Sequence, residues 1–483
     1  MSPVPGYQNP NVYVAQAPSP IITSVYLSTQ PNILFLAYSP TSPTNNQIDT
    51  FQFTSYSGVQ TFTLSQSGTV TNFALTNSLT GAPFVSGTNF SGPTTISGVT
   101  TFTTISGSSF LMNSTFLQAA YTYTTVAPGV IYTFTDYGSV VNSFGQPFTY
   151  SGSNPVINSP ATLAANLAFQ NGAPQVSLMN IVSVSGTATD FLTTIQSFAG
   201  NDQFDAIVPL IYDTAYNSLP TGPLFKGLSE FLTAQANNGI FQRTFIGLDN
   251  SASGAAPSMN IPINIAIDMN NSRVSVVNLP AVNYNPGFNS NNGTTAGVVS
   301  INGYYAAAAV AGLWASQAPQ IPLTHESIAG FSGLINQLTS SQETTLQSYG
   351  VLVVAQKRNG VIYIRHGLNT NTTNWLTQEI SISTVGDYVA NNFRQNFLDA
   401  NLIGQALTPS VMATINNLTV GVLNALKSSG VIQGYTGINI TQNVNNPTQV
   451  LVGFLYSPTI PLNYINVTIA INTSNGAFTV IAA

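Results

Sequence analysis

The side chains that could do chemistry are few and scattered along this sequence. It contains two histidines, His325 and His366, and no cysteine. No HExxH pattern and no pair of histidines at ligand spacing occurs, so a transition-metal site has little to be built from. We expect both histidines to have structural roles. Glu326 follows His325, but adjacent residues on an extended loop point in opposite directions, so we do not expect a base with an orienting carboxylate.

Two carboxylates, Asp202 and Asp205, precede a predicted buried strand, where α/β sheets often carry their sites. Without a third acidic residue or a histidine beside them, they are more simply interpreted as turn and cap residues. The glycine-rich stretches at Gly145 and Gly297 lack the Lys-Ser/Thr pair of a phosphate-binding loop. The sequence therefore predicts no enzyme activity, no cofactor and no metal site.

The charge of the chain is unusually low for its length. Only 5% of its 483 residues are charged, with a net charge of -6, against about 25% charged residues in typical soluble proteins. All lysines and arginines lie between Lys226 and Lys427. Binding to a phosphate backbone needs clustered cations, so nucleic acid is not expected as a partner. The most apolar window, Gly303 to Ala315, is too short to cross a bilayer and predicts a buried helix instead of membrane insertion.

The elements that would position functional residues are clearest near the C-terminus. Two β-rich runs are joined by Asn359-Gly360, which predicts a hairpin with a two-residue turn at positive φ. A helix is predicted from Thr384 to Ala406 and a second one after the Thr408-Pro409 cap, each with an apolar stripe. Two strands follow, from Thr448 to Tyr456 and over the run YINVTIAI.

Taken together, these pieces resemble a known family. YGVLVVAQKRNGVIYIRHG, ISTVGDYVANNFRQNFL, LTPSVMATINNLTVGVLNALKSSGVIQGY and YSPTIPLNYINVTIAI follow one another as in the C-terminal domain of the contractile tail sheath proteins of bacteriophages and phage-like particles. Near the N-terminus, PNVYVAQAPSPI resembles the arm of such proteins, except that Ala15-Gln16 replaces an acidic pair. APGVIYTFTDYGSVVNSFG resembles a further segment of the sheath core.

The resemblance and the patterns together predict a mixed α+β and α/β fold. Its parts are an N-terminal arm with the first core strand (1–35), a β-rich sandwich or barrel insertion of about eight short strands (36–123), an α/β core (124–300), a C-terminal sheath domain (301–461) and a C-terminal arm strand (462–483). Strands alternating with amphipathic helices in the core indicate a sheet covered by helices on at least one face.

The resemblance implies a structural subunit that polymerises around a tail tube and contracts to drive the tube through a host envelope. The implied partners are many copies of the chain itself, the tail tube protein, and baseplate and tail terminator proteins. The implied location is the tail of the virion, after assembly in the host cytoplasm.

Specific residues acquire expected roles from the same resemblance. Strands that cross between subunits would contain Val12, Tyr13, Val14, Ile465, Val467, Ile469 and Ile471. The accepting hairpin would contain Val351, Val353, Ile362 and Ile364. Residues that could face the tube are Lys357, Arg358, Arg365 and Arg394. An equally weighted alternative pairs these cations with Glu379, Asp387 and Asp399 in a solvated network.

A rival interpretation is a surface-layer or receptor-binding adhesion protein, which the Ser/Thr/Asn-rich N-terminal quarter would suit. That class predicts β repeats throughout the chain, whereas residues 126–430 are rich in helix signals.

Overall fold

The computed structural model describes residues 31–39, 45–52, 59–65, 69–96, 99–105, 116–124, 126–151, 154–183, 185–217, 222–252, 259–289, 294–295, 297–335, 337–463, 467–473 and 476–482. The helices are α1 (Tyr137–Phe144), α2 (Pro160–Gln170), α3 (Ala188–Gln196), α4 (Pro223–Asn237), α5 (Asn260–Met269), α6 (Tyr304–Ser316), α7 (Ser340–Ser348), α8 (Trp375–Gln378), α9 (Ile380–Asp399) and α10 (Pro409–Ser428).

The strands of the first half are β1 (Ile33–Ala37), β2 (Asn45–Gln52), β3 (Thr61–Thr63), β4 (Thr69–Asn77), β5 (Phe90–Ile96), β6 (Val99–Thr104), β7 (Phe116–Thr124), β8 (Tyr132–Phe134), β9 (Phe148–Ser151), β10 (Asn154–Ile157), β11 (Val176–Asn180), β12 (Ala206–Pro209) and β13 (Thr244–Ile246). Those of the second half are β14 (Val274–Val277), β15 (Ala281–Tyr284), β16 (Phe288–Asn289), β17 (Thr294–Thr295), β18 (Val299–Asn302), β19 (Gly333–Leu334), β20 (Val351–Gln356), β21 (Ile362–His366), β22 (Ile432–Gln442), β23 (Val450–Pro458), β24 (Val467–Thr473) and β25 (Gly476–Ala482).

A large mixed sheet forms the centre of the chain. It consists of two four-stranded sheets, ordered β12-β1-β11-β8 and β13-β14-β20-β21. They are joined where Arg243, just before β13, pairs in parallel with Ala206. At this junction the Ile207 N–H donates to the Arg243 carbonyl at 2.9 Å. The inner strands pair in parallel, while β8 and β21 run antiparallel at the two outer edges.

Both faces of this sheet are covered by helices, as β1 shows most clearly. Ile33, Phe35 and Ala37 pack into one apolar cluster with residues of α2 and α6. Leu34 and Leu36 pack into a second cluster with residues of α3, α4 and α5. A strand buried on both sides needs apolar residues at every position, which explains the uninterrupted run ILFLA. The mixed α/β fold class predicted from the sequence is confirmed.

Two helices of the core, α2 and α6, show how these elements begin and pack. Ser159 caps α2, because its Oγ accepts a hydrogen bond from the Thr162 N–H at 3.3 Å. The Ala-rich window forms α6, which is buried along nearly its whole length. Its Gly312 lies so close to α2 that an added Cβ would come within 2.5 Å of the Ala168 Cα. Small residues therefore set the distance between these two helices.

The β-rich insertion forms its own small core. Its strands make two three-stranded antiparallel sheets, β2-β7-β4 and β3-β6-β5, where the sequence predicted about eight short strands. Phe102 lies at the centre of its aromatic cluster, within 5.5 Å of the rings of Phe51, Phe62 and Phe73. The predicted boundary at residue 36 falls within β1, because Leu36 and Ala37 belong to the buried central strand.

The C-terminal helices form a separate cluster with β22 and β23. The predicted stripe of Val385, Val389, Phe393 and Phe397 is buried on α9. The helix occupies Ile380–Asp399 instead of the predicted 384–406, and Asn401 just beyond it has a left-handed φ of 50°. Thr408 caps α10 as predicted, accepting from the Val411 N–H at 3.3 Å.

The predicted domain boundary at residue 300 divides strands that belong to one sheet. The division at residue 300 separates β13 and β14 from β20 and β21, although these strands form one sheet. The hairpin at 351–366 is therefore part of the large central sheet. The domain boundaries remain predictions of the sequence.

Candidate functional site

The hairpin β20–β21, which the sequence suggested as the acceptor of a strand from another copy, lies inside the large sheet. Val351, Val353, Ile362 and Ile364 are all buried. β20 has β14 on one side and β21 on the other. Neither side of β20 can therefore accept a further strand.

The outer edge of β21 is occupied as well, by the preceding segment of the same chain. The His325 N–H donates to the Ile364 carbonyl at 2.7 Å, and the Ile364 N–H donates to the Glu326 carbonyl at 2.9 Å. The Ile328 N–H donates to the Ile362 carbonyl at 2.9 Å. A foreign strand could pair with β21 only after this segment had moved away, which argues against the acceptor role suggested for these residues.

The turn of this hairpin differs from the two-residue form predicted. The Gly360 N–H donates to the Lys357 carbonyl at 2.9 Å, and the Lys357 N–H donates to the Val361 carbonyl at 2.8 Å. Gly360 has a φ of 88°, whereas Asn359 is not at positive φ. The link is thus a longer turn closed by a left-handed glycine, a common alternative for hairpins.

The cations proposed to face a tube are divided between the β20–β21 hairpin and α9. Arg365 of β21 forms an ion pair with Glu343 of α7. Arg394 of α9 forms one with Asp202 at 2.9 Å. The Nζ of Lys357 lies 4.8 Å from the centre of the Tyr363 ring, and Lys357 and Arg358 are both exposed.

The alternative of ion pairing is therefore partly realised, but with other partners than expected. Arg365 and Arg394 pair with Glu343 and Asp202. Of the three carboxylates expected to pair with these cations, Asp387 pairs with Arg243 and Arg273 instead.

The hairpin β22–β23 offers edges that β20–β21 lacks. It is a two-stranded antiparallel sheet, and in the described part of the chain no other strand pairs with either of its edges. One face packs on the α9–α10 cluster through residues such as Tyr435 and Phe454. Leu451 and Leu455 are 45% and 69% exposed. The sequence did not predict β22, because IQGYTGINITQ is mostly polar and contains two glycines.

The C-terminal segment pairs with itself. β24 and β25 form an antiparallel hairpin in which Val467 lies opposite Ala482, Ile469 opposite Val480 and Ile471 opposite Phe478. The sequence predicted a single strand at 462–483, so the second strand is a finding of the structure. Ile465 and the N-terminal residues Val12, Tyr13 and Val14 lie outside the described residues.

The residues that could do chemistry are engaged in structural contacts. His325 has a φ of 66°, and its ring stacks on Tyr363 at 5.7 Å. His366 contacts Glu379 through its Nε2. Asp205 accepts a hydrogen bond from the Asn32 N–H at 2.8 Å, across the large sheet from β12 to β1. The interpretation of Asp202 and Asp205 as turn and cap residues stays a prediction. The contacts that the structure gives them are to Arg394 and to the Asn32 N–H, both distant in sequence.

A buried charge cluster joins α9 to the large sheet. Asp387 of α9 lies 3.4 Å from the Arg243 Nη2 and 2.5 Å from the Arg273 Nη2. The guanidinium of Arg243 also lies 5.1 Å from the centre of the Trp314 ring. Burial lowers the pKa of Arg243 to about 10, and Asp387 opposes that shift.

The junction between α9 and the large sheet also contains a cavity of about 320 Å³. It is lined by Asp205, Arg243, Trp314 and Asp387 together with neighbouring residues of α9. Burial raises the pKa of Asp205 to about 6, while the Asn32 N–H and Arg243 oppose the shift. Sequence reasoning could not find this cluster, because Arg243 and Asp387 are 144 residues apart.

Among the residues that the structure describes, no three acidic or histidine side chains are grouped so that they could hold a metal ion. Within the same residues, no helix is both long enough and apolar enough to cross a membrane.

The fold built from these elements is that of sheath subunits from contractile injection systems. It matches the contracted helical sheath of the anti-feeding prophage with a TM-score of 0.55 at 12% identity, covering 97% of this chain and 99% of that one. It matches the contracted PVC sheath complex with a TM-score of 0.53 at 10% identity, over 73% and 89% of the two chains.

A relative is also found by sequence. The chain is 27% identical over 367 residues to the tail sheath protein of Mycobacterium phage Bxz1. The match covers 75% of this chain and 60% of the phage protein, so the chain spans less than two thirds of that relative. No family model matches the chain. The resemblance to contractile tail sheath proteins that the sequence indicated is confirmed.

Proposed function

We propose that this chain is the structural subunit of a contractile phage tail sheath. Many copies would polymerise around a tail tube, and contraction of the polymer would drive the tube through the host envelope. The observation that supports this most is the similarity to a tail sheath protein over 367 residues. The shared fold over 97% of the chain is consistent with it. The role is mechanical, and we propose no catalysis.

The proposed partners follow from that role. Copies of the chain itself would form the lattice, with the tail tube protein inside and baseplate and terminator proteins at the ends. Nucleic acid is not proposed as a partner. The chain has eight lysines and arginines, and four of them form ion pairs within the chain: Arg243, Arg273, Arg365 and Arg394. The chain would be assembled in the host cytoplasm and reside in the virion tail.

The lattice would be held together by strands exchanged between copies. The C-terminal residues Ile465, Val467, Ile469 and Ile471 would add to a neighbouring copy, and Val12, Tyr13 and Val14 would do so elsewhere. The edges of β22–β23 suit this better than those of β20–β21, because no described strand of the same chain pairs with them. Strand addition supplies main-chain hydrogen bonds that survive rotation of the subunit bodies.

Contacts with the tube would involve the exposed tip of the β20–β21 hairpin. Lys357 and Arg358 are exposed there. Arg365 and Arg394 belong to the same proposal, but their charges are already offset by Glu343 and Asp202. We therefore expect Lys357 and Arg358 to contribute most to attraction by an acidic tube surface.

Stopping the chain after Asn463 tests the strand exchange. We expect the truncated chain to keep its helix content and thermal unfolding, because the large sheet and the α9–α10 cluster end before that point. We expect it to form no polymer in sedimentation. Val467→Asp and Ile469→Asp should act in the same way, through a buried unpaired charge.

Thr468→Asp is the matched control, since alternate positions of a strand lie on opposite faces. It should leave assembly intact. Truncated chains that still build polymers would rule out the proposed role of the segment. Unfolded or aggregated chains would show instead that the segment completes its own subunit.

A further inference from the structure

The short connection that leads to the C-terminal strands is fastened at both of its ends. At its start, the Thr459 Oγ1 donates a hydrogen bond to the Gly430 carbonyl at 2.7 Å, at the end of α10. At its end, the Asn463 Nδ2 donates to the Glu379 Oε1 at 2.6 Å, at the start of α9. The connection is therefore attached to the C-terminal end of α10 and to the N-terminal end of α9.

Little apolar packing holds this connection in place. Ile460 is 49% exposed and Leu462 is 77% exposed. Pro461 between them restricts the backbone but makes no hydrogen bond through its nitrogen. The position of the connection thus depends on its two polar attachments.

Glu379 is well placed to act as one of these attachments. Its side chain is only 7% exposed, and its Oε1 also contacts the Nε2 of His366, the last residue of β21. Its backbone is fixed by a bridge to Leu368 and by the Ile380 N–H, which donates to the Gly367 carbonyl at 3.0 Å. The carboxylate lies at the N-terminal end of α9, where the helix dipole favours negative charge.

We propose that Glu379 is a clasp, which holds Asn463 against His366 and so fixes the point from which the chain leaves for its C-terminal strands. A buried carboxylate is stable only when donors surround it, and Glu379 Oε2 has no hydrogen-bond partner in the described residues. Release of Asn463 would leave a buried charge with fewer donors, so the closed clasp is favoured.

The clasp links three parts of the chain that sequence separates. His366 belongs to the large sheet, Glu379 precedes α9, and Asn463 follows the β22–β23 hairpin. The exit of the C-terminal segment is therefore oriented relative to the large sheet. This inference concerns a single chain and goes beyond the sheath role, so its failure would leave that role untouched.

Distance measurement between two spin labels tests the clasp. The chain has no cysteine, so Ser341→Cys on α7 and Leu462→Cys on the connection give two unambiguous exposed sites. Labelled chains diluted with unlabelled ones should give a narrow distance distribution. Asn463→Asp should broaden it, because the new carboxylate faces that of Glu379.

A compensating change makes the test specific. Combining Asn463→Asp with Glu379→Gln exchanges donor and acceptor, so we expect the narrow distribution to return. Asn417→Asp, on the exposed side of α10, adds the same charge elsewhere and should change nothing. Asn463→Ala, which removes the donor without adding charge, serves if Asn463→Asp fails to fold.

Two results would overturn the proposal. One is a distribution that stays narrow in Asn463→Asp and Asn463→Ala. The other is a double variant as broad as Asn463→Asp alone, which would show that position 463 acts on the connection without Glu379.

Discussion

At the scale of single residues, Asp387 is the group on which the junction between α9 and the large sheet depends. It neutralises Arg243, whose side chain is 3% exposed, and Arg273. Asp387→Asn would remove the carboxylate that pairs with both guanidinium groups, and Asp205 would be the remaining carboxylate that acts on Arg243. We expect a loss of roughly 3 to 5 kcal/mol in the free energy of unfolding, as for other broken buried ion pairs.

Denaturant unfolding measures this loss. Asp399→Asn on the same helix is the control, because Asp399 is exposed and contacts Gln395 only at the surface. It should change stability by less than about 0.5 kcal/mol. Equal effects of the two substitutions would show that the buried cluster contributes nothing special.

Asp205 predicts a pH dependence of stability. Burial raises its pKa from 3.8 to about 6 in the folded chain. The stabilisation that Asp205 adds to the free energy of unfolding is therefore fully present below about pH 4 and is lost as the pH rises through about 6. The change is on the order of 2 to 3 kcal/mol. Asp205→Asn should be more stable than the parent chain at pH 7 and equal to it near pH 4. Parallel stability curves across this range would contradict the prediction.

At the scale of elements, much could be predicted because local signals agree with the packing. The stripe on α9 and the Thr408 cap depend on residues close in sequence, so periodicity and capping rules found them. β22 was missed because its sequence is mostly polar and contains two glycines, and it is recognised as a strand by its pairing with β23. The occupation of the outer edge of β21 could not be predicted, since residues 325–328, which pair with that edge, lie more than 30 residues earlier in the chain.

The β-rich insertion gives a prediction at this scale. Among the described residues, its aromatic cluster contains none from the large core, and its six strands form no sheet with a strand of that core. Replacing residues 40–124 with a short Gly/Ser linker should therefore leave a soluble chain with unchanged unfolding of the core, because loop closure costs little extra.

The boundary of the replacement provides the control. Starting it at Leu36 removes Leu36 and Ala37, which are fully buried in β1. That version should be insoluble or strongly destabilised. The boundary after β1 would be contradicted if the replacement that begins at Leu36 gave a soluble chain and the replacement of residues 40–124 gave an insoluble one.

At the scale of the whole molecule, the chain combines a mixed sheet covered by helices on both faces with a C-terminal unit whose β22–β23 hairpin pairs with no other described strand. Its fold class and family resemblance could be predicted from the order of short motifs, none of which is specific alone. The strand edges proposed for assembly could not be predicted, because they depend on which strands pair in three dimensions. With 5% charged residues, assembly of the proposed sheath would depend chiefly on strand pairing and apolar contacts.

Electron microscopy of the purified full-length chain tests the proposed sheath role most directly. We expect hollow tubes or stacked rings, which should be absent when the chain stops after Asn463. Flat two-dimensional lattices from the full-length chain would contradict the sheath role and favour a surface-layer protein. Chains that stay monomeric under all assembly conditions would also contradict the sheath role.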